Sequence, residues 1–332
     1  MSKGNKGFTN HGATCYLNSA LQCLSHIDIL SNDNFKNQVI KYKKKNSSLV
    51  TEWMNIQNKM WSDENNEPIN SMELIELFMN KCNDENIYFE SFDQNDASEF
   101  LNYFLDFIHN DISRKININI QGTAKTRLDK LYYKNLITFE KHFKKNYSYI
   151  IENFYSSLLS LTQCPLCNHT TDNHEPTSII TLTLEKGFTS LYDCIDEYTK
   201  KISLDDDNKL KCGKCNEYVN SDKKFMFWDL ANVLIILLKK YNGDGGIISN
   251  YVNYPINLNL DKYCLNYKSK STQYELSGLI IHNGGLNSGH YYSICKNTLE
   301  NKWKVYNDTQ VIDIEESRLF NNHPYCLFYK RV

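Results

Sequence analysis

Residues 7–19 read Gly7-Phe8-Thr9-Asn10-His11-Gly12-Ala13-Thr14-Cys15-Tyr16-Leu17-Asn18-Ser19. They predict a glycine-containing loop that becomes an amphipathic helix at Cys15, because apolar residues then follow at helical spacing: Leu17, Ala20, Leu21, Leu24 and Ile27. Free N–H groups and the helix dipole favour an anion there, so they lower a thiol pKa and hold an oxyanion. Asn10 would add a side-chain donor. The alternative is a small buried cysteine beside a turn asparagine.

A histidine lies in a second notable stretch far downstream. It reads His282-Asn283-Gly284-Gly285-Leu286-Asn287-Ser288-Gly289-His290-Tyr291-Tyr292, which predicts a strand, a flexible loop and a second strand. Glycines leave room for the backbone of a substrate to pass beside a nucleophile. At the end of the loop, His290 would be fixed yet reachable, as the general base for Cys15 must be. Taken alone, a histidine is more often structural than catalytic.

A residue that orients the imidazole is expected in Trp303-Lys304-Val305-Tyr306-Asn307-Asp308. Asn307 and Asp308 both carry an oxygen that can accept the imidazole N–H, and Cys–His–Asn is a known set for thiol proteolysis. Side chains alternate along a strand, so only one of the two can face His290. The other would be free to support the oxyanion region, and strand alternation alone leaves open which of Asn307 and Asp308 takes which role.

Two C-x-x-C pairs predict a metal site. They read Cys164-Pro165-Leu166-Cys167 and Cys212-Gly213-Lys214-Cys215. Two such turns at the tips of paired strands give four thiolates in a tetrahedral array around zinc, and a site closed to water is structural rather than catalytic. Disulfides are disfavoured because the sequence has eleven cysteines, an odd number, and no sign of secretion.

Composition excludes several functional classes. The 332 residues are 41% hydrophobic and 23% charged, as in ordinary soluble proteins, and the net charge of -2 disfavours a general nucleic-acid-binding role. The longest apolar run, Val233 to Leu238, is too short to cross a bilayer, and the polar N-terminus argues against secretion. We therefore expect an intracellular protein, cytoplasmic or nuclear. The basic run Lys41 to Lys45 is interpreted as a solvated helix face without a function.

The order of elements predicts an α+β fold. The first third shows helical periodicity after Cys15, from Ser71 to Cys82 and from Ala97 to Ile108. From about residue 151 onward the pattern favours strands, with one helix near Leu191 to Tyr198. Residues 46–68 and 114–145 show no clear pattern.

Five segments, in order, resemble motifs of the ubiquitin-specific protease family. Residues 7–19 resemble its cysteine box and 282–292 its histidine box. The other three are Gln94-Asn95-Asp96-Ala97-Ser98-Glu99-Phe100, Leu237-Leu238-Lys239-Lys240-Tyr241 and Tyr254-Pro255-Ile256-Asn257-Leu258-Asn259-Leu260. The resemblance extends from Gly7 to Tyr329. The sequence departs from the family pattern at three positions. Ala13 replaces the more usual asparagine, Lys240 stands where arginine is common, and Ser157 or a neighbour stands where a glycine is usual. These differences concern specificity, because none of them removes a catalytic atom.

The resemblance implies a papain-like cysteine protease elaborated as a right hand with a thumb, a palm and zinc-binding fingers. We expect a single catalytic domain, 1–332, with a helical thumb (1–145), fingers with part of the palm (146–230), and the remaining palm (231–332). The reaction implied is cleavage of the peptide or isopeptide bond after the C-terminal glycine of ubiquitin, through a thioester. Alternatives are a protease for a ubiquitin-like modifier and a ubiquitin-binding pseudoenzyme.

The family pattern also assigns roles by position. It places the third catalytic residue at Asn307 and an oxyanion donor at Asn10, and it pairs Asp96 and Glu99 with arginines of the ubiquitin tail. His282 and Tyr291 of the histidine box are further candidates for substrate contacts. A solvated helix start is the alternative for the acidic pair. Expected partners are ubiquitin and ubiquitinated proteins; we expect a monomer with structural Zn²⁺, no organic cofactor, and neither nucleic-acid nor membrane binding.

Overall fold

The computed structural model describes residues 3–63, 67–90, 93–240, 248, 250–265, 270–285 and 288–332. Three residues of the motifs quoted above, Tyr241, Leu286 and Asn287, lie outside these ranges. Within them, no helix has both the length and the apolar character that a membrane crossing requires.

Helices dominate the first half of the chain, as predicted. The helices of the described residues are α1 (Cys15–His26), α2 (Asp33–Tyr42), α3 (Ser48–Met60), α4 (Met72–Asp84), α5 (Ala97–Ile112), α6 (Arg127–Phe143), α7 (Tyr149–Phe154) and α8 (Leu191–Thr199). The predicted helices after Cys15, near 71–82, near 97–108 and near 191–198 are confirmed. The two stretches without a clear pattern contain α3 and α6. A reciprocal capping box between Thr126 and Asp129 starts α6. The sequence feature that indicates this helix is therefore its N-terminal cap rather than an apolar period.

Strands form the second half of the chain. They are β1 (Ser156–Gln163), β2 (Thr170–Thr177), β3 (Ile179–Thr183), β4 (Ile202–Ser203), β5 (Leu210–Lys211), β6 (Tyr218–Val219), β7 (Asp222–Asp229), β8 (Val233–Lys239), β9 (Asn257–Asn259), β10 (Gln273–Gly285), β11 (Ser288–Asn297), β12 (Lys302–Asn307), β13 (Gln310–Ile314) and β14 (Pro324–Arg331). The largest sheet has the order β13-β12-β11-β10-β14-β8-β3, with β9 also paired to β10. A second sheet has the order β2-β1-β7-β4, and β5 pairs with β6.

The large sheet separates two apolar cores. Side chains alternate along β8, so Val233 and Ile235 belong to the core shared with helices α1 to α5, whereas Leu234 and Ile236 face the core beneath α8. This arrangement holds the helical layer against one face of the sheet, with α1 packed on β11. The nucleophile helix therefore lies against the strand that carries His290. The predicted α+β class is confirmed.

Candidate active site

Cys15 is the first residue of α1, and its side chain is 5% exposed. The loop before it reverses at Gly12, whose φ of 115° is a conformation that L side chains rarely adopt. Thr14 stands at the N-cap without a side-chain cap bond to the helix. Instead its Oγ1 accepts the N–H of His11 at 3.0 Å. The free N–H groups at the start of α1 are thus left near the thiol.

Burial raises the pKa of the Cys15 thiol, and the negative charge of Asp308 raises it further. The N–H of Tyr291, 3.5 Å from Sγ, and the N–H groups of Tyr16 and Cys15 oppose this rise. The N–H groups at the helix start thus act in the expected direction, but burial outweighs them, so the net shift of the thiol pKa is upward in the free protein.

His290 lies near the start of β11, and its Nε2 is 2.6 Å from Oδ1 of Asn307 at the end of β12. With Nε2 as the donor, the neutral ring has Nδ1 as its acceptor. Among the described residues, no hydrogen bond joins His290 to the Cys15 thiol, whose bonded neighbour is the Tyr291 N–H. Catalytic hydrogen bonds are often long in the free state of an enzyme and tighten with substrate.

Asp308 binds the chain on both sides of Cys15, in the loop before it and in the first turn of α1 after it. Its carboxylate accepts from the side-chain amides of Asn10 and Asn18, each at 2.8 Å, and its carbonyl accepts the Phe8 N–H at 2.9 Å. Gly7 permits this approach, because a Cβ there would lie 2.1 Å from the Asp308 carbonyl oxygen. The strand ends at Asn307 and Asp308 has a φ of 51°, so strand alternation does not fix its direction.

Asn18 was not among the predicted site residues. It lies one helical turn after Cys15 and is buried, although the same helix buries mostly apolar side chains. A buried amide needs partners, and here they are Asp308 and the Thr9 carbonyl. The sequence feature that could have pointed to Asn18 is its position one helical turn after Cys15, on an otherwise largely apolar helix.

A cleft of about 440 Å³ opens beside the thiol. One wall carries Glu90, Asp93 and Asp96, and the other carries His282, Gly289 and Tyr291. The rings of His282 and Tyr291 stack with their centroids 4.2 Å apart. Gln94 spans the two walls, because its Oε1 accepts the Gly289 N–H at 3.2 Å. The cleft thus offers negative charge to an incoming chain next to Cys15. A larger cavity of about 850 Å³ lies between α8 and β7, away from these residues.

Asp96 and Glu99 have different surroundings. Asp96 is the N-cap of α5: Oδ1 accepts the N–H groups of Ser98 and Glu99, while Oδ2 accepts the Tyr325 hydroxyl. Glu99 is exposed, and partial desolvation followed by the nearby charge of Asp96 raises its pKa. The carboxylate of Asp96 is therefore engaged by the protein, whereas that of Glu99 is open to a ligand.

Four cysteine sulfurs come together at the far end of the second sheet. Those of Cys164, Cys167, Cys212 and Cys215 all lie within 4.8 Å of one another. The closest pairs are 3.8 Å and 3.6 Å apart, which fits the edge of about 3.8 Å that a tetrahedron of Zn–S bonds near 2.3 Å requires. The donor set and its spacing thus suit a structural zinc ion.

The two knuckles repeat the same backbone turn. In one, the Asn168 N–H bonds to the Cys164 carbonyl, and in the other the Asn216 N–H bonds to the Cys212 carbonyl. Both asparagines have left-handed φ values, 55° and 65°, a conformation asparagine tolerates well. N–H groups of Cys215 and Lys214 lower the pKa of Cys212, whereas at Cys215 the N–H of Glu217 is outweighed by burial and the three other sulfurs, so the pKa of Cys215 is raised.

Comparisons with known proteins identify relatives along nearly the whole chain. The sequence model of a family described as ubiquitin carboxyl-terminal hydrolase matches residues 6–329. The chain is 29% identical to ubiquitin carboxyl-terminal hydrolase Usp2 of Drosophila melanogaster, covering 99% of this chain and 35% of that protein. For human ubiquitin carboxyl-terminal hydrolase 21, the identity is 25% over 99% of this chain and 62% of the relative. The chain thus spans less than two thirds of the length of these curated relatives.

Solved structures show the same fold. A chain of the SAGA DUB module Ubp8/Sgf11/Sus1/Sgf73 bound to monoubiquitin superposes with a TM-score of 0.76 at 23% identity, over 100% of this chain and 70% of that one. The module bound to ubiquitin aldehyde gives 0.76 at 24%. At these identities the likeness shows the fold. It confirms the expected mixed helix-and-sheet fold of the ubiquitin-specific protease family, and the four-cysteine cluster is consistent with a zinc-binding fingers region.

The contrast between Asp96 and Glu99 gives a stability prediction. Asp96→Ala removes an N-cap and leaves the Tyr325 hydroxyl without its acceptor, so the free energy of unfolding should fall by about 1 kcal/mol or more. Glu99→Ala, on the exposed side of the same turn, should change it little. Urea unfolding of both variants and the parent measures the difference. Equal losses in the two variants would contradict the capping role of Asp96.

The four-cysteine cluster predicts one zinc ion per chain. Because a structural site contributes directly to folding, Cys164→Ser and Cys215→Ser should each remove the metal and lower the melting temperature. Cys264→Ser, at a cysteine outside the cluster, is the matched control and should retain both. The measurements are elemental analysis and thermal unfolding of the purified proteins. A stable protein with no zinc and an unchanged melting temperature in the serine variants would refute the site.

Proposed function

Because the chain belongs to the ubiquitin carboxyl-terminal hydrolase family, we propose that it is a deubiquitinating thiol hydrolase that cleaves the bond after the C-terminal glycine of ubiquitin. Membership in the family confirms the resemblance seen in its motifs. The observation that carries the proposed activity is that two distant parts of the chain meet the Cys15 segment. The N–H of Tyr291, next to His290, lies 3.5 Å from the Cys15 sulfur, and Asp308, next to the Asn307 that binds His290, accepts the Asn10 amide. The support is geometric, and each role below belongs to the proposal.

In the proposed reaction, His290 takes the proton of the Cys15 thiol, and Sγ attacks the carbonyl carbon of the terminal glycine. The N–H groups at the start of α1 and the second amide hydrogen of Asn10 hold the oxyanion. His290 then protonates the leaving amine, which departs as the C–N bond breaks and leaves a thioester on Cys15. Water, activated by His290, hydrolyses the thioester and restores the thiol. Asn307 keeps Nε2 of the imidazole bonded so that Nδ1 is presented to the thiol.

Substrate capture is assigned to an exposed carboxylate on the helix turn that follows the acidic wall of the cleft. Glu99, exposed at the first turn of α5, is proposed to bind an arginine of the ubiquitin tail, while Asp96 shapes the turn that presents it. The stacked His282 and Tyr291 would bound the opposite side of the tail, where Gly289 leaves room for its backbone. In this proposal only Glu99 binds the tail directly, whereas the expectation from the sequence was that both carboxylates bind its arginines.

The zinc site is proposed to be structural, with Zn²⁺ joining the β1–β2 and β5–β6 turns at the tip of the fingers. All eleven cysteines lie among the described residues and none forms a disulfide, which supports a reducing, intracellular location, cytoplasmic or nuclear. We further propose a single catalytic domain, with the thumb, fingers and palm at the boundaries given above, that acts as a monomer on ubiquitin and ubiquitinated proteins.

The decisive test is covalent catalysis at Cys15. Cys15→Ala should abolish hydrolysis of a fluorogenic ubiquitin C-terminal amide and labelling by a ubiquitin that carries a C-terminal electrophile, while ubiquitin binding survives. Cys23→Ala, further along the same helix, is the control and should be labelled normally. Turnover that survives in Cys15→Ala ends the proposal. Labelling of the parent by a probe built on a ubiquitin-like modifier, but not by ubiquitin, would reassign the substrate, and an unlabelled parent that binds ubiquitin would indicate a pseudoenzyme.

The Asp308 contacts predict coupling between two residues of the oxyanion region. Asn10→Ala should lower kcat about a hundredfold or more. If Asp308 acts by holding the Asn10 amide, Asp308→Ala should show a similar loss, and the double variant should lose little more, with KM nearly constant. Asn307→Ala is expected to lower kcat/KM more than Asp308→Ala. Steady-state kinetics on the fluorogenic amide, with melting temperatures to verify folding, measures all four variants. Additive losses would show that Asp308 serves another group.

A further inference from the structure

Positive charge is concentrated in the segment that connects α5 to α7. Between Ser113 and Ile151 the sequence has nine Lys or Arg residues and two acidic residues, a charge of +7 in a chain whose net charge is -2. The acids are Asp129 and Glu140. Like charges held on one surface repel each other and favour a partner of opposite charge. The near-neutral total therefore conceals a strongly basic region.

The outward face of α6 combines this charge with apolar side chains. Five exposed residues follow one another at intervals of three or four and so share one face, here called the α6 stripe: Lys130, Tyr133, Ile137, Lys141 and Lys144. Tyr133 is 50% exposed and Ile137 is 40% exposed. The opposite face of the helix is covered, because Leu131 packs with Leu159 and Trp228. The stripe thus has an apolar centre and cationic ends.

Neighbouring segments extend the basic surface at the C-terminal end of the stripe. The Ile116 N–H bonds to the Lys144 carbonyl at 2.9 Å, which places the exposed Lys115 beside Lys144. The guanidinium of Arg114 lies over the ring of Tyr42 at 4.1 Å, so the end of α2 and the basic run that follows it are also adjacent. The run Lys41 to Lys45 therefore belongs to a larger basic surface rather than to an isolated helix face.

We propose that the α6 stripe, together with Lys115, binds an acidic polypeptide segment that carries one or two large apolar side chains. Lysines at both ends would pair with carboxylates, and Tyr133 and Ile137 would be buried beneath the apolar residues of the partner. The stripe covers about 21 Å along the helix at 1.5 Å per residue, the length of roughly six extended residues. A short linear segment is therefore sufficient to occupy it.

The apolar centre distinguishes this partner from a nucleic acid. A phosphate backbone offers oxygen atoms to lysines but nothing that would bury Ile137. Two of the neighbouring rings that could stack on bases, Tyr42 and Tyr147, are covered by the Arg114 guanidinium, which leaves the exposed Tyr133 as the ring at the centre of the stripe. The stripe shares no residue with the cleft at Cys15. Its proposed role is consequently independent of the proposed hydrolysis.

The test measures binding of a short fluorescein-labelled peptide of glutamates around a central Leu–Phe pair, by fluorescence anisotropy of the full chain. The parent should bind it, more weakly as salt is added. Tyr133→Ser/Ile137→Ser should weaken binding about tenfold, since truncating central apolar contacts commonly costs more than 1 kcal/mol. Lys130→Glu/Lys141→Glu/Lys144→Glu should abolish it. All variants should keep the ubiquitin-amide activity of the parent, because the substitutions are on exposed side chains away from the cleft. Reversal at Lys144 also removes its ion pair with Glu140, so melting temperatures are measured to verify that each variant is folded.

Two controls make the outcome decisive. Lys59→Glu/Lys186→Glu/Lys224→Glu reverses the same number of exposed lysines elsewhere and should retain binding. A peptide with serines in place of the Leu–Phe pair should bind about tenfold more weakly than the original. Equal binding of the two peptides, equal loss in the control triple variant, or no binding at all would overturn the proposal. Tighter binding of a duplex DNA of equal charge would overturn it in favour of a nucleic acid.

Discussion

The arrangement of the residues around Cys15 depends on the hydrogen bonds that Asp308 accepts. It accepts the amides of Asn10 and Asn18, one before the nucleophile and one after it, while the Asp308 carbonyl accepts the Phe8 N–H. The turn between β12 and β13 thereby fixes the loop and the first turn of α1 relative to the strand that ends in Asn307. Since Asn307 is bonded to His290, one turn of chain holds together Cys15, Asn10 and His290, the residues to which we assign the roles of nucleophile, oxyanion donor and base.

The same carboxylate opposes ionisation of the thiol that it helps to position. Burial of Cys15 and the charge of this carboxylate both raise the thiol pKa. An imidazolium close to the sulfur would offset both effects, because an opposite charge stabilises the ionised thiol. In the proposed reaction His290 is the residue that would supply this charge. Gln94 holds the loop that precedes His290 in place, because its side chain accepts the Gly289 N–H across the cleft.

Sequence patterns predicted those features that depend on local periodicity or on a few donor atoms. The helix after Cys15, the α5 helix and the four-cysteine cluster are of this kind, because helical spacing and C-x-x-C pairs each constrain structure within a few residues. The strands of the palm were also identifiable from β-branched runs. By contrast, α6 was not predicted, since its inner face is partly polar and its start depends on a capping box with Asp129 at N3 rather than the usual glutamate. The split between Asp96 and Glu99 was missed because helix spacing cannot show that Asp96 precedes the helix as its cap.

The hydrogen bond between Asp308 and Asn18 could not be predicted from the sequence, for a different physical reason. Their contact joins residues 290 positions apart, and the direction of the Asp308 side chain follows from a left-handed turn conformation that strand alternation does not describe. The basic surface at α6 is a second feature that the overall composition does not reveal. A net charge of -2 is the sum of opposite local charges: Glu90, Asp93 and Asp96 line the cleft at Cys15, whereas lysines are exposed along α6. The sequence gives the charge of each segment, but only the fold shows that the two groups lie on separate surfaces. Under the two proposals, a basic tail at Cys15 and an acidic segment at α6 would therefore bind without competing.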